Sequence, residues 1–474
     1  MNPINLPPSM TMKTSSLLRR TMLAASLVLP VFAFGQGQLT PPGPAFSYPS
    51  ERALNTSLIP IPSMKTLMHI DAGEHIPSRD PSKTNLDGSI GYYNLNAPGR
   101  YYLTENLSKR ILITADNVTL DLGGFEVRYT GAGTGPIGIE AQSGVAGTVV
   151  RTKVINGRVR GNWAQGVVLG DDSVVAGVDV SEVPGYCIKV GKNSQVADSR
   201  VKGPWSQQNP GIPGPHSGIY GDDATVVSQC SATGIGGIGI QVNQCGRVVD
   251  CTVQSVAGCG IVTNHHCSVG GCAVRLCGST GFDLGMGSTL HNSAVSECND
   301  SGVHVRNGCT LANVTSRDNQ DHGFLSESWT VMNQDYNRNA TNFTHCTAQG
   351  NDGDGFHVSH NCLFTDCTAD DNGAVGVSTQ GKGFHFSDHC RLTQCIASNN
   401  QLSGFFGNNG NTIDQCSATG NARHGVEVAS DQNIVTRNTL RGNTLAPLQP
   451  APANGIAPLQ SAFGATNPFA NFGL

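Results

Sequence analysis

Three octapeptides place a histidine at the same offset: GVHVRNGC at 302–309, GFHVSHNC at 355–362 and GFHFSDHC at 383–390. An imidazole repeated among apolar residues is suited to proton transfer near neutral pH. Arg306, two residues after His304, adds a cation. Removing the proton beside a uronic acid carboxylate takes a base, a proton donor and a cation that neutralises the carboxylate. In that chemistry His304 or His357 is the base, Tyr336 or His385 the donor, and Arg306 the neutralising group. The plainer alternative is a solvated histidine face beside a surface Arg306–Glu327 ion pair, worth under about 1 kcal/mol.

The histidines share an offset because the chain repeats. Gly218, Gly239, Gly260, Gly281, Gly302 and Gly323 recur every 21 residues, followed by Gly355, Gly383, Gly404 and Gly425. The two longer intervals, 32 and 28, are one period plus insertions of 11 and 7. The residue after each glycine is always apolar, from Ile219 to Val426. A second apolar column runs through Val227, Val248, Leu290 and Leu392, and a third through Cys230, Cys251, Cys346 and Cys416. Three short β-rich segments per period, separated by Gly, Asn and Asp, predict three strands and three turns. Stacked triangular coils of this kind make an all-β, right-handed, single-stranded parallel β-helix of roughly 13–14 coils over residues 111–443. Irregular early coils are expected at Gly138, Gly166 and Gly185.

Strand alternation then sends the second residue after each glycine outward. That exposed column reads Tyr220, Gln241, Val262, Asp283, His304, Leu325, His357, His385, Phe406 and Glu427, with Asn264, Arg306 and Glu327 two positions further along. The insertions carry Trp205, Trp329 and Tyr336. Loops with aromatic rings beside a flat sheet can wall a polymer cleft, because rings stack on sugar faces. Asp283, Glu327, Trp329, Trp205 and Asn264 are therefore the expected substrate-binding residues. Glycoside hydrolysis fits less well, since Asp283 and Glu327 lie two coils apart and paired carboxylates need about 5–10 Å.

Composition sets the context. Of 474 residues, 59 are Gly and only 13% are charged, which disfavours a helical domain. The net charge of -5, without a Lys/Arg block, excludes the electrostatic footprint of a nucleic-acid binder. Lys13, Arg19 and Arg20 precede the apolar run Met22 to Phe34, and Ala33-Phe34-Gly35 ends it, the pattern of an export signal over residues 1–35. No other run reaches membrane-spanning length. A Pro-rich linker (36–64), an N-terminal cap region (65–110) and a low-complexity C-terminal tail (444–474) complete the expected organisation. The protein is expected to be secreted, periplasmic or at a bacterial cell surface.

Sixteen cysteines in an exported chain ordinarily suggest disulfides, but in-register side chains suit disulfide torsions poorly. Mostly free, buried thiols are the favoured alternative. The column Asn319, Asn351, Asn372, Asn400 and Asn421 reads as a structural amide ladder. The cysteine spacing carries no zinc pattern, so no metal is expected. NDGDG, 351–355, resembles a calcium loop but lacks the remaining ligands; a tight turn is the better reading, leaving Ca2+ weakly supported and no cofactor implied.

The stretches MKTLMHIDAGEHIP, NAPGRYYLTENL, ITADNVTLDLGGFEV and VINGRVRG, with the ending NPFANFGL, resemble the secreted right-handed parallel β-helix repeat proteins abundant in Planctomycetes and Verrucomicrobia. The resemblance spans residues 64–474. It implies the fold, and places the chain in a superfamily that includes pectate and alginate lyases, polygalacturonases, C5-epimerases and phage tailspikes. No polygalacturonase signature and no Asp-Pro-His epimerase motif is present, so the resemblance assigns no catalytic residue. Two functions stay open: a polysaccharide lyase or epimerase acting on uronic-acid-containing glycans, or a non-catalytic glycan-binding or structural surface protein.

Overall fold

A computed structural model describes residues 68–70, 92–142, 149–204, 217–326, 340–374, 380–430, 432–449, 455–460 and 467–473, all within one compact unit, Lys65–Leu474. The expected export signal and linker lie outside the described residues, as do Trp205, Glu327, Trp329 and Tyr336. Among the described residues no helix is long and apolar enough to cross a membrane.

Every coil contributes one strand to a 16-stranded parallel sheet, and the other two faces of the prism join into a 29-stranded sheet. Fourteen of the sixteen strands begin between Ile111 and Val426, as the period predicts. Tyr93–Leu95 adds a strand before them, pairing with Ile111–Ile113. Leu448–Gln449 adds one after, pairing with Val426 and Glu427. The segment expected to be a low-complexity tail thus continues the prism. Gly455–Ile456 and Asn471–Gly473 pair with the strands at Ile434 and Thr439. One early marker shifts: Ile188 pairs with Val167 and Ile219, which puts Cys187, not Gly185, in the glycine position.

Equivalent residues stack as the repeat requires. Phe324, Phe356, Phe384 and Phe405 lie face to face at 4.6, 4.7 and 5.0 Å, and Phe343 and Phe364 form a second stack at 4.7 Å. Each of these rings is fully buried. Burying such a side chain contributes about 1.5–3 kcal/mol, so the columns form a long core despite its thin cross-section.

The corners explain the cysteines. Between the second and third faces each coil turns on one left-handed residue: Asn156, Asp198, Gln229, Asp250, Asn292, Asn313, His345, Asp366, Gln394 and Gln415 have φ between 49° and 58°. Asn and Asp tolerate this region best, which accounts for the polar residues that punctuate each period. The next residue points inward, and its N–H leaves the strand ladder needing an acceptor. The following coil supplies it from a side chain. Cys272 N–H donates to Ser293 Oγ (3.1 Å), Cys395 N–H to Cys416 Sγ (3.4 Å) and Cys416 N–H to Asn438 Oδ1 (2.8 Å).

Cys, Ser and Asn are thus interchangeable at corners as small inward acceptors, a polar duty that packing arguments alone miss. All sixteen thiols are free and fourteen are buried. Burial pushes the Cys187 thiol up to about 12. At the third corner the asparagines form a continuous amide ladder, Asn319 to Asn351 to Asn372 to Asn400 to Asn421 to Asn443, with Nδ2 donating to the next Oδ1 at 2.8–2.9 Å.

Candidate functional site

The outward column stands in register on the 16-stranded sheet. Asp283 pairs with His304, His304 with Leu325, Leu325 with His357, His357 with His385, and His385 with Phe406. His357 and His385 are neighbours, with ring centroids 4.3 Å apart. His304 is separated from them by the Leu325 coil.

A residue outside this column organises the pair. Asp354 directly precedes the Gly355 marker and is fully buried. Its Oδ2 accepts hydrogen bonds from both His357 Nδ1 (3.0 Å) and His385 Nδ1 (2.8 Å). Its Oδ1 accepts from the backbone N–H groups of Gly381 and Lys382, each at 2.8 Å. Those amides sit where the seven-residue insertion returns to the prism. Gly373 and Gly381 touch there, both in the left-handed region, and a Cβ on Gly373 would lie 2.6 Å from the Gly381 Cα. Glycine at both places lets the loop close and set Lys382 Nζ 4.0 Å from Asp354 Oδ1.

Burial alone would raise the Asp354 pKa, but the two histidine hydrogen bonds and Lys382 hold it far below the usual carboxylate range. An ionised carboxylate only accepts hydrogen bonds. Both histidines therefore carry a proton on Nδ1, and a ring in its neutral form has its lone pair on Nε2. Burial keeps His385 below the ordinary histidine value despite the attraction of Asp354.

His322 lies behind His357 with ring centroids 4.5 Å apart, and its Nδ1 accepts the Asp354 backbone N–H at 2.9 Å. His322, Asp354 and His357 bring three ligand-type atoms within 4.8 Å of one another. An ion fits them poorly. With Nδ1 occupied as an acceptor, neutral His322 has its proton on Nε2 and no lone pair left to give a metal. Asp354 is the single carboxylate among nitrogens, whereas calcium takes six to eight oxygens.

A second cluster surrounds Asp283. Arg306 Nη1 donates to Asp283 Oδ1 at 2.8 Å, and His304 Nδ1 lies 3.4 Å from the same oxygen. Burial would raise the Asp283 pKa, but His304 and Arg306 hold it below the usual value. Arg306 is thus paired with Asp283 of the preceding coil; Glu327, its partner in the surface-pair alternative, lies outside the described residues. Asn264 belongs elsewhere: its Nδ2 donates to Asn243 Oδ1 (3.1 Å), and Asn243 Nδ2 donates to Tyr220 Oη (3.1 Å).

In the sequence Asp354 reads as a turn residue, and His322 and Lys382 carry no role. The usable signal was the offset just before the marker. Ser217, Cys259, Thr280 and Ser301 are small there, whereas His322, Asp354, Lys382 and His424 are titratable.

The right-handed β-helix region family matches residues 239–388 and 331–466. No curated protein sequence matches the chain. Among solved structures it is similar to the periplasmic alginate epimerase AlgG, at 12% identity over 81% of this chain and 82% of that one, TM-score 0.39. It is also similar to the A-module of the Azotobacter vinelandii mannuronan C-5 epimerase AlgE6, at 13% identity over 80% and 91%, TM-score 0.37. Pectate lyase Pel9A is similar at 14% identity over 76% and 80%, TM-score 0.25. Family pattern, period and strand register together define the class: the protein is a right-handed parallel β-helix protein.

Proposed function

We propose that the protein is a carbohydrate-active enzyme, a lyase for uronic-acid-containing glycans, with His357 and His385 as its proton-transfer pair and Asp354 as their positioning residue. One observation carries this reading: two adjacent, partly exposed imidazoles on one face of the sheet give Nδ1 to a single buried carboxylate, which leaves their chemistry to Nε2.

In the step envisaged, one Nε2 takes the proton at C5 of the uronate. The C5–H electron pair forms the C4–C5 double bond as the C4–O4 bond breaks, and the other imidazole, protonated, delivers its proton to the departing O4. Both groups stand on one side of the substrate, which suits elimination with proton removal and delivery on the same face. Epimerisation needs a donor on the opposite face of the ring. Arg306, shared with Asp283, and Lys382, against Asp354, supply cations on this side of the sheet. The export-signal pattern supports action outside the cytoplasm.

The test is to incubate the full chain with pectate, alginate and other polyuronates and follow absorbance near 235 nm, where unsaturated products absorb. Activity is expected, falling about 10²–10⁴-fold in His357→Gln and His385→Gln. The non-catalytic glycan-binding reading is favoured by one feature, the neutralisation of Arg306 by Asp283. It prevails if no polyuronate yields product and glycan binding is unchanged when His304, His357 and His385 are all replaced by Ala.

A further inference from the structure

The columns that hold the histidine cluster carry a different constellation nearer the N-terminus. Lys189 pairs in register with Tyr220, and Tyr186 occupies the offset that Asp354 fills later. The Tyr186 and Tyr220 rings meet edge to face, with centroids 5.5 Å apart. The Lys189 ammonium sits in the notch between them, 5.3 Å from one centroid and 5.6 Å from the other.

Aromatic faces hold a cation in place without neutralising it. Among the described residues Lys189 has no carboxylate partner, unlike Lys192, which pairs with Asp223 at 3.1 Å. Asn243 fixes the Tyr220 hydroxyl while giving another hydrogen bond to Asp222 Oδ1 at 2.8 Å. The result is a half-buried cation flanked by two oriented rings on a solvent-facing sheet, and the ligand it suits has a flat apolar face and a carboxylate. A pyranose uronate has both.

We infer that Tyr186, Lys189 and Tyr220 form a remote subsite for a uronate unit of the polymer whose reacting unit lies at His357 and His385. The inference rests on the functional reading above. From Tyr220 the register runs through Gln241, Val262, Asp283, His304 and Leu325 to His357. At the usual strand separation these six steps span about 29 Å. A short oligomer cannot reach both ends, whereas a long one gains a second attachment, and with it avidity.

The experiment is calorimetric titration of the full chain with uronate trimer and decamer, galacturonate and mannuronate series each, and a neutral glucan decamer as control. The uronate decamer is expected to bind at least about tenfold more tightly than the trimer, with an advantage that shrinks as salt rises. Lys189→Met and Tyr220→Ala should remove the advantage. Tyr220→Phe, which keeps the ring, should retain it and serves as the folding control. Equal decamer affinity in wild type, Lys189→Met and Tyr220→Ala overturns the subsite even if product forms at 235 nm. A Lys189-dependent decamer advantage without any product leaves the subsite standing and removes the lyase reading.

Discussion

Among the described residues the face carries two carboxylate–histidine clusters built from the same repeat, and they differ in depth. Asp283 stands in the outward column, is one-fifth exposed, and spends its charge on Arg306 as well as His304. Asp354 stands at the buried offset before the marker and holds two imidazoles plus two backbone amides. A carboxylate that reaches water can be neutralised by a flexible cation at little gain. One that is buried must have its oxygens fully met, and in meeting them it fixes the tautomer and direction of each histidine. The difference makes the Asp354 cluster the better candidate for chemistry and the Asp283 cluster a charged neighbour.

The sharpest way to break this comparison is kinetic. If the clusters have the unequal roles assigned, His357→Gln or His385→Gln lowers product formation about 10²–10⁴-fold, whereas His304→Gln lowers it less than about tenfold. Equal losses in initial-rate assays on a polyuronate would erase the distinction.

Stability should separate them next. Asp354→Ala removes one side of a buried charged network and is expected to destabilise by about 3–5 kcal/mol, while Asp283→Ala costs under about 1 kcal/mol. Urea unfolding followed by circular dichroism reads both, and a larger loss in Asp283→Ala would reverse the assignment.

Acid sharpens the same contrast. The Asp354 pKa is depressed in the folded state, so its contribution is fully present above the unfolded carboxylate value of about 4 and is lost as pH falls below it. His385, held below the ordinary histidine value of about 6.5, likewise stabilises above that pH and less below it. Between pH 4 and 2, where Asp354 is lost and the histidines are already titrated, the melting temperature of wild type should therefore fall more steeply than that of Asp354→Asn. Parallel curves would show that Asp354 is not ionised in its pocket.

The corners behind the clusters give smaller effects than the loss of Asp354. Asn372, in the ladder beside the Asp354 coil, accepts from the Asn351 amide and donates to Ala348 O. Asn372→Leu strands those groups and should cost about 1–3 kcal/mol. Cys298, at the equivalent corner beside the His304 coil, should tolerate Ser within about 1 kcal/mol, because a hydroxyl does the same inward work. A thermal shift for Cys298→Ser as large as that for Asn372→Leu would mean that packing, not hydrogen bonding, governs the corners.

Much of this was written in the chain. A period of 21 with an apolar residue after each glycine leaves no other way to bury Ile219, Phe282, Phe324 and Phe384 than one above another, and alternation then forces His304, His357 and His385 outward. Periodicity is a property of order along the chain, so sequence determined the fold, the shared face of the histidines and the adjacency of His357 and His385. Burial depth and hydrogen-bond partnership are different in kind, because they depend on where the chain bends. Only the tertiary structure decided that Asp354 lies buried, that Gly373 and Gly381 meet and bring two backbone amides onto it, that Arg306 turns back to Asp283, and that residues 471–473 pair with the strand at Thr439.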